Sequence, residues 1–314
     1  MAKIAFLFPG QGSQEVGMGQ SFYDQFDEVK EKFKAADEIL DDNLSKLLLE
    51  GPGDELTKTE NAQPALLLLS SAINDLIMKE GIQPDVVAGH SLGEYSALYA
   101  AGALSFEDAI TTVRKRGLLM EEAVPTGQGT MAAVLGADEE LIVEITEKIT
   151  AEGDVVNVAN FNCPGQIVIS GSVKGVELAS EQLKEAGAKR VLPLNVSGPF
   201  HSDLMKPASE DFKEALDKIN IHSTEVPVYA NVHAKPITEA SEIETCLVDQ
   251  LYSPVQFTNT IQQMLEDGVD TFVEIGNGKV LSGLVKKIHR RAKVFNIQDV
   301  ESYEKFIQWA KEES

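Results

Sequence analysis

The sequence predicts an α/β fold that carries a small inserted ferredoxin-like subdomain, and three observations lead there. The chain has 314 residues, room for one large domain or two modest ones. Around residue 90 a short apolar strand, a tight glycine turn and a helix follow one another. Between 130 and 196 the texture becomes strand, helix, strand, strand, helix, strand, an order that closes its own four-stranded antiparallel sheet.

In chain order, residues 3–8 read as a buried strand from their β-branched and aromatic content, and 9–19, with four glycines, read as a loop. Segments 22–39 and 44–49 have helix-like apolar spacing, and 63–78 is apolar enough to be a largely buried helix. Pro84 restarts the chain, followed by a strand at 85–88, a turn at 89–93, an alanine-rich helix at 94–101 and another helix at 106–122. The insert, 127–197, contains strands at 131–135, 155–160, 166–170 and 190–195, with helices at 138–150 and 176–186. Pro125-Thr126-Gly127 and Ser197-Gly198-Pro199 are its hinges, leaving 1–126 and 198–314 as the large core. Later signals at 226–231, 255–266 and 271–274, then Gly276-Asn277-Gly278 and a helix near 281–290, rejoin the first sheet.

Composition removes several classes of function. Apolar residues at 43% and charged residues at 25% are those of a globular protein, not a disordered one. A net charge of −23 repels phosphate backbones, so no nucleic acid partner is expected. Two cysteines, Cys163 and Cys246, fall far short of a disulfide framework, which points to a reducing, cytoplasmic setting. The apolar run Ala5-Phe6-Leu7-Phe8 is too short for an export signal, and no run is long enough for a membrane span. No grouping of histidine, cysteine and carboxylate has metal-ligand spacing, so neither metal nor cofactor is expected.

The chemistry concentrates in a few segments. Gly89-His90-Ser91-Leu92-Gly93 fits a G-x-S-x-G nucleophile elbow, and the strand before it and helix after it are the context that motif requires. Ser91 there meets the positive end of the helix, with the Leu92 N–H as a natural oxyanion donor. Ser91 as a plain helix N-cap is the alternative. Among five histidines, His90 lies inside the elbow and supports the turn. His201, in the loop returning from the insert, is the preferred base, against the reading of a surface-loop histidine. The loop Pro9-Gly10-Gln11-Gly12-Ser13-Gln14 follows the first strand, where a second oxyanion donor arises in such sites, although it also reads as an ordinary flexible loop. Arg114, Lys115 and Arg116 share one helix: either one of them clamps a carboxylate or all line a solvated face. From 279 to 293 six basic residues, Lys279, Lys286, Lys287, Arg290, Arg291 and Lys293, stand without an acidic one, as a steering patch or as a solvated helix side.

The elbow Gly89-His90-Ser91-Leu92-Gly93-Glu94, the opening Phe8-Pro9-Gly10-Gln11-Gly12-Ser13-Gln14 and the segment Pro199-Phe200-His201-Ser202 resemble the malonyl-CoA:acyl-carrier-protein transacylases of type II fatty-acid synthesis, and the resemblance runs over essentially the whole chain. It implies a hydrolase-like parallel-sheet core around the insert. It implies Ser91 as acyl-accepting nucleophile, His201 as base, and the N–H groups of Gln11 and Leu92 as oxyanion hole. Arg116 matches the arginine that pairs with the malonyl carboxylate, and Gln250 the residue whose carbonyl orients the histidine. Phe200 matches the pattern of malonyl-selecting members, Asn160 and Asn231 fall where the family lines its pocket, and Lys286, Lys287, Arg290 and Arg291 resemble a docking patch for an acidic carrier protein. The implied reaction is ping-pong transfer of malonyl from malonyl-CoA through malonyl-Ser91 to holo acyl carrier protein; apart from the resemblance, a monomer is the expectation. Two rivals remain on sequence grounds: a serine esterase or thioesterase, and a non-catalytic module that binds carrier protein.

Overall fold

The computed structural model describes residues 2–313. Its first half runs β1 (Ile4–Phe8), α1 (Gln20–Gln25), α2 (Asp27–Leu40), α3 (Leu44–Glu50), α4 (Gly53–Thr57), α5 (Thr59–Lys79), β2 (Val86–Gly89), α6 (Gly93–Ala100) and α7 (Phe106–Glu122). Then come β3 (Gly129–Leu135), α8 (Glu139–Ala151), β4 (Val156–Cys163), β5 (Gln166–Ser172), α9 (Val173–Glu185) and β6 (Arg190–Pro193). After a 3-10 turn at Asp203–Met205 the chain continues through α10 (Lys206–Leu216), β7 (Val228–Tyr229), β8 (Pro236–Ile237), α11 (Ala240–Gln250) and α12 (Phe257–Glu266). It closes with β9 (Thr271–Ile275), α13 (Val280–Ile288), β10 (Lys293–Ile297) and α14 (Val300–Glu313).

The strands form two sheets. The larger has the order β10-β9-β1-β2-β7-β8 and is parallel except for the β7–β8 pair. A parallel sheet covered on both faces needs strands that are apolar on both sides, and β1 supplies this. Phe6 and Phe8 join one core with Val87, Val273 and Ile275, while Ala5 and Leu7 join a second with Val86, Ala88 and Phe272. Pairing of Phe8 with Gly89 and of Leu7 with Glu274 aligns the ends of β1, β2 and β9, so the loops after them share one edge. Ligands of open parallel sheets bind at that edge.

The smaller sheet is antiparallel, order β4-β5-β3-β6, and α8 and α9 pack on it around Val134, Ile142, Ile169 and Leu183. It is stitched to the rest of the chain through β4: Phe161 N–H donates to the Val255 carbonyl at 2.9 Å and Val255 N–H to the Ala159 carbonyl at 2.8 Å.

Several elements differ from the sequence reading. The single helix expected over 22–39 is two, because Phe26 turns extended (φ −116°) and packs its ring on Tyr303. The helix expected from 63 begins a turn earlier, at Thr59, and runs on through Pro64, which lacks the N–H that would donate to the Glu60 carbonyl. The signal at 226–231 shrinks to the two-residue strand β7. Helices α4, α10, α11 and α14 and strands β8 and β10 are additional.

Candidate functional site

The elbow is forced by close packing. A Cβ on Gly89 would lie 1.9 Å from the Gly93 carbonyl group, and one on Gly93 would lie 2.0 Å from the Phe8 carbonyl oxygen. No larger residue fits either position without moving backbone. Between them Ser91 adopts a left-handed conformation, φ 51°, which non-glycine residues rarely take and which is concentrated at functional sites. Asn231 holds that turn. Its Oδ1 accepts from Ser91 N–H at 2.7 Å and its Nδ2 donates to the Gly89 carbonyl at 2.6 Å.

Ser91 Oγ lies 2.8 Å from His201 Nε2. His201, 3% exposed and itself left-handed (φ 57°), points its Nδ1 at the Gln250 carbonyl, 2.8 Å away. A carbonyl can only accept, so Nδ1 carries the proton and Nε2 is free to take one from the serine. Burial, reinforced by the Arg116 charge, pushes the His201 pKa down to about 3, which keeps the ring neutral and Nε2 unprotonated.

Of the three cations on α7, Lys115 is exposed and Arg114 reaches outward to Asp42 at 2.8 Å and Asn61 at 2.6 Å. Arg116 is wholly buried. Its Nη1 donates to Gln63 Oε1 at 2.8 Å, and its Nη2 to Gln250 Oε1 at 2.8 Å and to Ser91 Oγ at 3.1 Å. Its Nε has no partner and, among the described residues, no carboxylate forms a salt bridge with it. Burial lowers its pKa, but an arginine remains cationic. A buried, under-partnered guanidinium beside a serine has the donors to take up a small carboxylate.

A cavity of about 140 Å³ opens above these groups between the two sheets. Gln11, Leu92, Arg116, Asn160, Phe200 and His201 are in its wall, together with Met120, Met131 and Leu194. The backbone N–H groups of Gln11 and Leu92 donate to nothing among the described residues. The Gln11 side chain donates to Thr59 Oγ1 at 3.2 Å.

One expected position sits differently from the sequence reading. Asn231 is behind the elbow, 2% exposed and occupied with Ser91 and Gly89, and does not line the cavity. His90 Nε2 donates to Asn162 Oδ1 at 2.8 Å, and its ring packs on Phe257. Lys286, Lys287, Arg290 and Arg291 are exposed on and just after α13, and none of them is in a salt bridge among the described residues. The Gly276-Asn277-Gly278 loop at the other end of α13 touches the Gln11 loop, with Asn277 Nδ2 donating to the Ser13 carbonyl at 2.7 Å.

Sequence reasoning assigned no role to Gln63 or to the Glu94 side chain. Glu94 is 1% exposed, and its Oε2 accepts from Gln250 Nε2 at 2.6 Å and from Asn231 N–H at 3.2 Å. Burial pushes its pKa up to about 7. A carboxylate three residues beyond the elbow serine, inside an otherwise apolar helix, was the available signal.

Comparison with known proteins gives one picture. Residues 5–312 match the acyl transferase domain family. The chain is 59% identical over 314 residues to the malonyl CoA-acyl carrier protein transacylase of Bacillus subtilis (strain 168), covering 100% of this chain and 99% of that protein. The crystal structure of an acyl carrier protein S-malonyltransferase from Vibrio cholerae O1 superposes with a TM-score of 0.95 at 44% identity, over 97% of this chain and 100% of that one. A malonyl-transacylase solved in complex with a type II PKS acyl-carrier protein superposes equally well, TM-score 0.95 at 42% identity, over 98% and 99%.

Proposed function

Because the chain belongs to the acyl transferase family, we propose that it moves a malonyl group from malonyl-CoA to the phosphopantetheine thiol of acyl carrier protein, with Ser91 as the covalent relay. The observation that carries this reading is the buried Arg116 guanidinium 3.1 Å from Ser91 Oγ, because a hydrolase of apolar esters gains nothing from it. A carboxylate one methylene away from the thioester carbon reaches Arg116 while the carbonyl carbon sits on the serine.

In the first half-reaction His201 Nε2 accepts the Ser91 proton as Oγ bonds to the thioester carbon. The negative charge passes to the carbonyl oxygen, which the Gln11 and Leu92 N–H groups stabilise. Collapse breaks the C–S bond, and the leaving thiolate takes the proton back from His201. In the second, the carrier thiol gives its proton to His201 and attacks malonyl-Ser91, and the serine leaves with that proton. The Gln250 carbonyl keeps the ring in the required tautomer without a triad carboxylate, stabilising the imidazolium less than an aspartate would. Fixing the malonyl carboxylate on Arg116 orients the ester for a thiol and leaves little room for water.

The order β4-β5-β3-β6 with α8 and α9 on one side supports a ferredoxin-like insert at 127–197 within a hydrolase-like core at 1–126 and 198–314. Phe200 in the cavity wall supports selection against branched acyl groups, and the free cations around α13 support docking of an acidic carrier.

The test is the intact mass of the protein after brief mixing with malonyl-CoA, for the native chain and for Ser91→Ala, followed by holo acyl carrier protein. A malonyl adduct that requires Ser91 and moves to the carrier is expected. An adduct lost equally fast to water would make the protein a hydrolase, and no adduct would leave only binding.

A further inference from the structure

Among the described residues two carboxylates are almost completely buried, and they do different things. Glu274 on β9 accepts from the N–H groups of Leu281 and Ser282 at 3.0 and 2.7 Å and so caps the start of α13. Glu94 caps nothing and forms no salt bridge among the described residues. Burying a carboxylate is costly unless its hydrogen bonds are met, and both donors it has found belong to residues that hold the acyl-transfer groups. Gln250 N–H₂ reaches it at 2.6 Å, and the Asn231 backbone N–H at 3.2 Å.

Each of those partners is a junction. Gln250 presents its carbonyl to His201 Nδ1 at 2.8 Å and its side-chain oxygen to Arg116 Nη2 at 2.8 Å, and its Nε2 also donates to the Ser91 carbonyl at 3.0 Å. Its amide can serve Arg116 only in one orientation, and that orientation is selected by the acceptors its NH₂ faces, Glu94 at 2.6 Å and the Ser91 carbonyl at 3.0 Å. Asn231 holds the Ser91 N–H and the Gly89 carbonyl. Gln250 ends α11 and Asn231 follows β7, so both reach the elbow from distant parts of the chain.

We propose that Glu94 is a positioning residue of the acyl-transfer site: one of its carboxylate oxygens fixes Gln250 and Asn231, and through them the His201 ring, the Arg116 guanidinium and the Ser91 backbone. This rests on the reaction proposed above. Its substance is reach, not charge, which makes it separable from a second role, that of counter-ion to the buried Arg116. Outer groups that orient reacting ones act through distances of this kind.

Two near-isosteric changes separate the roles. Glu94→Gln keeps the length and the acceptor oxygen but loses the charge, whereas Glu94→Asp keeps the charge and is shorter by one methylene. Formation of malonyl-Ser91 is followed by quench and intact mass over a range of malonyl-CoA concentrations, with thermal melts of each protein. Positioning predicts Glu94→Gln within about tenfold of the native maximal rate and Glu94→Asp slower by on the order of a hundredfold, the loss expected for an ångström of misplacement. Half-saturating malonyl-CoA should change less than about threefold in both, because the contacts to substrate remain. Faster loading by Glu94→Asp than by Glu94→Gln would overturn the proposal in favour of charge balance, and native rates in both would remove any role. Failure of both to fold would also overturn it, making Glu94 part of the frame. If the native chain itself forms no adduct, the reading of the reaction fails, and that outcome is distinct from all of these.

Discussion

Arg116 Nη2 donates to Ser91 Oγ across 3.1 Å, so the hydroxyl that His201 Nε2 approaches from 2.8 Å is also held by a buried cation. In the proposed reaction the guanidinium would lower the energy of the developing alkoxide and would also pair with the far end of a short diacid. These two effects are separable by acyl group, since only a malonyl group carries the second charge.

Replacing Arg116 with alanine should therefore hurt malonyl more than acetyl. A hydrogen bond between charged groups contributes about 1.5–3 kcal/mol, so loss of a paired contact should slow malonyl loading by on the order of a hundredfold or more. Acetyl-CoA loading should fall much less, and the malonyl preference should collapse in a competition monitored by intact mass. Equal losses for both thioesters would show that the guanidinium serves the serine alone.

The pH dependence follows from His201. With its pKa pushed down to about 3 from the ordinary 6.5, the base stays deprotonated through neutral and mildly acidic pH. Loading rates should show no inflection near 6.5 attributable to this ring. Stability moves the other way. The unfolded chain takes up a proton at this histidine below about 6.5 while the folded one does not, so the unfolded state binds more protons between about 3 and 6.5, and stability falls as pH drops through that window. Between pH 7 and 5 the native chain should lose about 2 kcal/mol more than His201→Gln, as read from urea unfolding at both pH values.

How far the sequence discloses this site depends on how local each contact is. Ser91 was legible because strand, glycine turn and helix are adjacent in the chain and the close packing of Gly89 on Gly93 is contained within five residues. Arg116 could not be told from Arg114 and Lys115 by their residue types, because which of them is buried depends on where α7 packs on α5. The Gln250 contact to His201 is made by a main-chain carbonyl, which every residue possesses, and so only resemblance pointed to it. A weak signal existed nonetheless. Ile243, Cys246, Leu247 and Gln250 form a buried stripe at helical spacing, and a glutamine within such a stripe needs partners. The missed β10 is a half-exposed edge strand beginning inside a basic run, where neither alternation nor apolar content marks it.

The elbow makes a stability prediction as well as a catalytic one. Gly93→Ala would place a Cβ 2.0 Å from the Phe8 carbonyl oxygen, a contact with backbone that no rotamer relieves. Either β1 separates from α6 or the Ser91 turn opens. Overpacking of this kind costs about 1–3 kcal/mol even where side chains can yield, and here they cannot, so a loss at or above that range is expected in urea unfolding. Malonyl loading should be undetectable. Native stability in this variant would mean that the turn is looser than the packing of Gly89 on Gly93 implies.

The last prediction concerns the free cations around α13. Lys286 and Lys287 are exposed and in no salt bridge among the described residues, on a chain of net charge −23 that otherwise repels an acidic protein. Lys286 does donate to the Ala292 carbonyl at 2.5 Å, which fixes its stem without neutralising it. If this face guides an acidic carrier, reversing both lysines to glutamate turns attraction into repulsion at the encounter while leaving the cavity untouched. Half-saturating carrier protein should rise by about tenfold at low ionic strength, with half-saturating malonyl-CoA changed less than about twofold, and the difference should shrink as salt screens the patch over its Debye length of about 10 Å at 0.1 M. Coenzyme A is itself an anion, so the comparison is informative: equal effects on both substrates would mean that the cations act on the nucleotide or on the general field of the protein, and not on the carrier.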